Sequence, residues 1–118
     1  MLGYAGKILR VDLTIGKRRD EELKEDVCRK FFGGRALGAK ILFEELKPGI
    51  DPFGPENKLI FATGPCCGAP FSGNAKYAAI TKSPLTGGYG EAMASGFFGP
   101  ELKFAGYDHL ILEGRAEK

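Results

Sequence analysis

The sequence predicts an α+β fold of β-sheets with short helices, on three observations. Apolar residues alternate over 7–13 and again over 76–81, the period of a half-buried strand. Over 24–32 and 35–46 they recur three and four apart, the period of a helix. Between these segments the chain turns repeatedly on glycine and proline, and hairpin-like turns among mixed elements fit α+β better than a doubly wound sheet. The 18 glycines and 7 prolines among 118 residues serve those turns. Glycine stands at roughly twice its common share of about 7%, and it falls singly or in pairs between apolar runs, so the excess is not low complexity.

Each element has a local cause. Residues 7–13 set Leu9, Val11 and Leu13 on one face and Ile8, Arg10 and Asp12 on the other, a strand with one buried face. Thr14 to Lys17 reads as a turn, and Lys17 to Glu22 as a polar partner strand whose charge suits an exposed edge. Over 24–32, Val27 and Phe31, with Cys28 and Phe32, give a helical stripe that Gly33-Gly34 stops. A second helix runs from about Arg35 to Leu46, with Leu37, Ile41, Leu42 and Leu46 as its apolar face, and Pro48-Gly49 ends it. The prolines at 48, 52 and 55 make the next stretch a loop. Lys58 to Ala62 is nearly continuous in apolar residues and reads as a buried strand. Lys76 to Thr81 alternates and stops at Ser83-Pro84. Small residues from Ala94 lead to Leu102 and Phe104, a helix packed on something flat. Pro100 is tolerated only in a first turn, so that helix starts near Gly99. His109 to Leu112 is a last strand, and a polar end runs through Lys118. No repeat, linker or boundary interrupts the chain, so a single domain, or part of one, is expected over 1–118.

Composition excludes several roles. Seventeen basic and 15 acidic residues give a net charge of +2, and they intermingle, as in Lys17 to Glu22. That describes a solvated surface, not a nucleic-acid face. No apolar run reaches the length of a membrane span. The start of the chain shows no charged flank ahead of an apolar stretch, so a cytoplasmic protein is expected. Among the 3 cysteines, Cys66 and Cys67 are adjacent, and the set fits neither a disulfide framework nor C-x-x-C ligand spacing. Cys28, Cys66 and Cys67 are expected as buried or half-buried free thiols, although one of the adjacent pair could face a ligand pocket. His109, the one histidine, is expected half-buried in its strand. No serine or cysteine pairs with it, and Glu91, Glu101 and Asp108 form no acid–base pair, so the chain shows no catalytic machinery of its own. Neither a G-x-x-x-x-G-K loop nor a dinucleotide fingerprint occurs. The remaining candidates are glycine turns. Gly87-Gly88-Tyr89-Gly90 and Ser95-Gly96 can aim backbone N–H groups at an anion, with Lys76 or Lys82 for charge, although such turns are more often structural.

Read in order, these segments resemble the N-terminal domain of the aldehyde:ferredoxin oxidoreductases, a family of tungsten–pterin enzymes. Gly6 to Thr14, Gly33 to Gly38, Pro55 to Ile60, Thr63-Gly64-Pro65, Thr81 to Gly87, Phe98 to Asp108 and Glu113-Gly114 carry the likeness over essentially the whole chain. The resemblance implies a base of β-sheets under two pterin dithiolenes that hold one tungsten (or molybdenum), with a magnesium ion bridging their phosphates. It implies that Lys76, where the family usually has arginine, meets a phosphate; lysine keeps the charge without the bidentate fork. It implies that Met93, Ala94, Ser95 and Gly96 line the cofactor, in place of a stretch reading like Asn-Ser-Gly-Gly. Met93 would offer its backbone carbonyl to magnesium, and Ser95 and Gly96 would offer N–H donors.

The activity so implied is oxidation of an aldehyde to a carboxylic acid, with electrons leaving through a [4Fe–4S] cluster to ferredoxin. The cluster ligands, the other pterin contacts and the proton-handling residues belong to later domains. The implied partners are therefore those domains, or a subunit carrying them, and ferredoxin, with no nucleic acid and no membrane. The chain resembles a fragment or a split subunit, not catalytic alone. A flat apolar face that normally lies under cofactor and other domains implies self-association. The alternative is a non-catalytic assembly or interaction module whose pterin site has decayed.

Overall fold

The computed structural model describes residues 2–117. Met1 and Lys118, the outermost residues of the start and of the polar end, lie outside the described residues. The elements are β1 (Lys7–Asp12), β2 (Lys17–Glu22), α1 (Glu25–Phe31), α2 (Gly34–Glu45), β3 (Lys58–Thr63), β4 (Tyr77–Lys82), β5 (Tyr89–Ala94), α3 (Phe98–Phe104) and β6 (His109–Glu113). The strands form one six-stranded sheet in the order β2-β1-β6-β3-β4-β5. β1 and β6 run parallel, while the other neighbours are antiparallel. This is the expected α+β fold, with β5 added. The segment Tyr-Gly-Glu-Ala-Met-Ala has almost no β-branched or alternating apolar content, and it is a strand because β4 and the turn before it hold it in register.

α1 and α2 cover one face. α2 lays Leu37, Ile41 and Leu42 into a core with Ile60, Ala62, Ala78 and Ile80. Gly38 stands at the closest approach, where an added Cβ would collide with Ile80 Cδ1. The missing side chain lets the helix lie this near the sheet. Register aligns Ile8, His109, Ala62 and Ala78 across four strands, and Arg10, Ile111, Ile60 and Ile80 in the next row.

Two side chains depart from expectation. Arg10 belongs to the helix-covered face, although arginine there needs full compensation. Three carboxylates supply it. Arg10 Nε donates to Glu21 at 3.0 Å, Nη1 and Nη2 donate to Glu45 at 2.8 and 2.7 Å, and Nη1 also reaches Glu113 at 3.2 Å. Lys58 adds a second cation, 2.5 Å from Glu113. Burial opposes the guanidinium charge, but hydrogen bonds to Glu45 and Glu21 outweigh it and raise the pKa above arginine's ordinary value. Burial likewise opposes the carboxylates. Arg10 nevertheless holds Glu45, and Lys58 holds Glu113, below the usual carboxylate range. The second side chain is His109, which is buried rather than half-buried, at 1% exposure. Neither of its ring nitrogens has a hydrogen-bond partner among the described residues. Burial pushes its pKa down to about 4 against the pull of Asp108, so the imidazole is neutral at neutral pH.

On the opposite face α3 covers one corner, where the Phe98 ring centroid lies 4.9 Å from Tyr77 and 5.3 Å from Phe61. Leu9, Leu110 and Phe61 share one row of this face, and Val11, Leu112 and Leu59 the next. All six are only half-buried.

Candidate functional site

The end of the sheet where β5 meets α3 gathers the residues expected to line a cofactor. β5 is an edge strand, so one side of its backbone has no strand partner. It is fixed from the helix side: Arg35, at the start of α2, lies 3.3 Å from Glu91, and the Tyr89 hydroxyl donates to Glu91 at 2.6 Å. That bond, joined by Arg35, holds the Glu91 carboxyl below its usual range, and burial together with Glu91 pushes Tyr89 up to about 12. The sequence alone did not suggest this brace; its only trace was a lone acid in a run of small residues.

Ala94 pairs with Tyr77 and Met93 with Ala78. Lys76 immediately precedes Tyr77, so it stands at the same end of the sheet as Ala94, Ser95 and Gly96. Lys76 and residues 93–96 are all exposed. Gly96 has φ +113° and open space where a Cβ would stand, a backbone that suits glycine and leaves the approach clear. α3 follows at Phe98. Its position is set by Asp108, a buried carboxylate that accepts from Lys103 Nζ at 2.6 Å and from the N–H groups of Ala5 and Gly6 at 3.0 and 2.7 Å. Gly99 lets α3 approach the loop before β4, since a Cβ there would stand 3.0 Å from Cys67 Sγ.

The donor set of one ammonium, one hydroxyl and a strip of exposed edge backbone suits a phosphate-bearing ligand. A pterin phosphate therefore fits what is present. Among the described residues no three His, Cys, Asp or Glu side chains converge on a metal-binding geometry. A cation at this edge would rely on backbone oxygens such as that of Met93 and on the ligand's own oxygens.

The other glycine turn behaves differently. The N–H groups of Leu85 and Thr86 donate to Ser83 Oγ at 3.2 Å each, Gly87 N–H donates to the Ser83 carbonyl at 2.8 Å, and Gly88 N–H donates to Thr86 Oγ1 at 3.2 Å. Lys82 Nζ is turned to the Ile50 carbonyl at 2.6 Å. The turn thus takes up two of the amides expected to face an anion, Gly87 on the Ser83 carbonyl and Gly88 on the Thr86 hydroxyl. Of the thiols, Cys28 and Cys67 are buried, while Cys66 is exposed rather than half-buried.

Fold and edge together define a one-sheet domain with an accessible polar rim, one face closed by helices and the other largely open. The family described as aldehyde ferredoxin oxidoreductase, N-terminal domain, matches residues 8–118. The chain belongs to that family. It is 51% identical over 117 residues to the tungsten-containing aldehyde ferredoxin oxidoreductase of Pyrococcus abyssi, covering 99% of this chain and 19% of that protein. The namesake from Pyrococcus furiosus is 46% identical over 118 residues, covering 100% and 20%. The aliphatic sulfonate oxidoreductase, WOR-like subunit, of the same organism is 44% identical over 120 residues, covering 99% and 19%. Among solved structures, the active site complex BamBC of benzoyl coenzyme A reductase with 1,5-dienoyl-CoA superimposes with a TM-score of 0.96 at 38% identity, covering 99% of this chain and 18% of that chain. The chain thus spans about a fifth of the length of the curated relatives it matches. No helix among the described residues is long and apolar enough to cross a membrane.

Proposed function

We propose that the chain is the cofactor-seating N-terminal domain, or part of it, of a cytoplasmic tungsten (or molybdenum) bis-pterin enzyme. The enzyme oxidises aldehydes to carboxylic acids. The observation that carries this reading is the exposed cluster of Lys76 and residues 93–96 at the sheet edge, in a chain of the aldehyde ferredoxin oxidoreductase family. Bound there, the metal–pterin group supplies the two-electron chemistry: an aldehyde and water become an acid, two protons and two electrons. The residues of this chain bind and orient. Lys76 neutralises a phosphate, Ser95 and Gly96 donate N–H groups, Ala94 holds the strand end open, and the Met93 carbonyl faces a magnesium ion. A [4Fe–4S] cluster held by the rest of the enzyme would supply the exit for the electrons, with ferredoxin as their acceptor. Alone, the chain seats no complete site and turns over no aldehyde; its open sheet face makes it self-associate.

The test is metal and pterin analysis of the longer polypeptide carrying this domain. The unaltered protein retains stoichiometric pterin and metal. Lys76→Ala and Gly96→Val each lower retention at least tenfold, since one loses the charge and the other forces a side chain onto a positive-φ backbone in the ligand's path. Full retention by both variants overturns the assignment of the edge. A polypeptide that assembles but holds no pterin supports a second reading, a decayed site in an assembly module. That reading is favoured by Met93, whose exposed thioether offers no hydrogen-bond donor.

A further inference from the structure

The central strands are apolar on both sides. β3 reads Leu59-Ile60-Phe61-Ala62 and β6 reads Leu110-Ile111-Leu112. An antiparallel sheet with one solvated face alternates apolar with polar, whereas near-continuous apolar strands belong to sheets covered on both faces. Here only one face is covered by α1 and α2. On the other, Leu9, Val11, Leu59, Leu110 and Leu112 form two adjacent rows across three neighbouring strands. A hollow of about 220 Å³ beside them is lined by Leu13, Leu59 and Leu112. A contiguous patch of large aliphatic side chains marks an interface, unlike scattered exposed leucines.

The cofactor is a poor occupant of this patch. The side chains offer no donor to a phosphate. β6, at its middle, is three strand spacings from β5, roughly 14 Å. Polypeptide is the better complement, and the curated relatives have about four-fifths of their length outside the matched region. We propose that the face centred on Leu9, Val11, Leu59, Leu110 and Leu112 docks an apolar layer of the same enzyme's remaining polypeptide, at a surface separate from the cofactor edge. This rests on the reading of the chain as part of a longer enzyme.

Thiol labelling of the longer polypeptide tests it. Leu112→Cys and Val11→Cys are made singly with Cys66→Ser, which removes the exposed native thiol, and labelled with maleimide in protein carrying cofactor and in protein grown without tungsten or molybdenum. Two positions are used so that a fold lost in one variant leaves the other readable. Docked polypeptide slows both at least a thousandfold, roughly, relative to the same cysteine in urea, with or without cofactor, because labelling then requires a local opening. Labelling within about thirtyfold of the unfolded rate, as for a half-exposed thiol, overturns the proposal. So does protection that appears only with cofactor bound, or that rises with protein concentration, which would mark the cofactor or a second copy as the cover. Protection in a polypeptide that retains no pterin even when grown with tungsten and molybdenum sinks the cofactor-seating function and leaves this interface standing.

Discussion

Arg10 shows how little a single polar residue in an alternating strand reveals about which way the strand faces. Placed opposite Leu9 and Val11 it looks solvent-facing, yet it points at the helices because Glu21, Glu45 and Glu113 converge there from three different elements. Those partners lie 11, 35 and 103 residues away, so no local pattern exposes them. Arg10→Met strands carboxylates beside a low-dielectric core, and we expect a loss of ~3 kcal/mol in urea unfolding at neutral pH. An unchanged urea midpoint would show the cluster to be ornamental. His109 gives the opposite case, a polar residue buried without compensation. Its folded pKa of about 4 lies below the ordinary 6.5, so the unfolded chain takes up the proton first. Stability is therefore full above pH 6.5 and falls as the pH drops toward 4, where the slope from this residue ends. Glu45 and Glu113, held below 4.5, keep their contribution above 4.5 and lose it only at lower pH. Urea midpoints should thus fall between pH 7 and pH 5 in the native sequence and hold nearly level in His109→Leu; an equal fall in both would remove His109 as the cause.

At the scale of elements, the long periodic segments were the readable ones. α1 and α2 declare themselves through Val27, Phe31, Leu37, Ile41 and Leu42, and β3 and β6 through continuous apolar runs. β5 was not readable, because an edge strand of Tyr, Gly, Glu, Ala and Met carries no period and is held by pairing with β4 and by the Glu91 contacts. The parity of β1 runs against its pattern, because the helix-covered side carries Ile8 and Arg10 while Leu9 and Val11 stay half-buried and Leu13 is exposed. The seating of α2 depends on a glycine whose spacing looks unremarkable in sequence. Gly38→Val drives a branched side chain into Ile80 and should cost ~3 kcal/mol or more by overpacking. Ala36→Val, at an exposed position of the same helix, should change stability by no more than about 0.5 kcal/mol. Equal effects at both positions in thermal unfolding would mean that the close approach at Gly38 does not govern the seating of α2.

At the scale of the whole molecule, the order of its motifs resembled one family's N-terminal domain, and the fold agrees with that resemblance. Physical reasoning from sequence could not separate the Ser83–Gly88 turn, which satisfies its own amides, from the Met93–Gly96 edge, which stays open. The hydroxyl bonds of the turn are local, two or three residues long; the tertiary fact is the strand order that leaves β5 at the edge. The parallel pairing of β1 with β6 brings Ile8 beside His109, across roughly a hundred residues of chain. At about 5–20 residues per second of synthesis, the nascent first strand waits on the order of 5–20 s for its neighbour to leave the ribosome. Throughout that interval Ile8 can find only its core partners in α1 and α2, and the long edge of β1 that β6 will occupy stays unpaired. A sheet whose inner neighbour to β1 is made last among its strands cannot be zipped shut until nearly the whole segment has been synthesised.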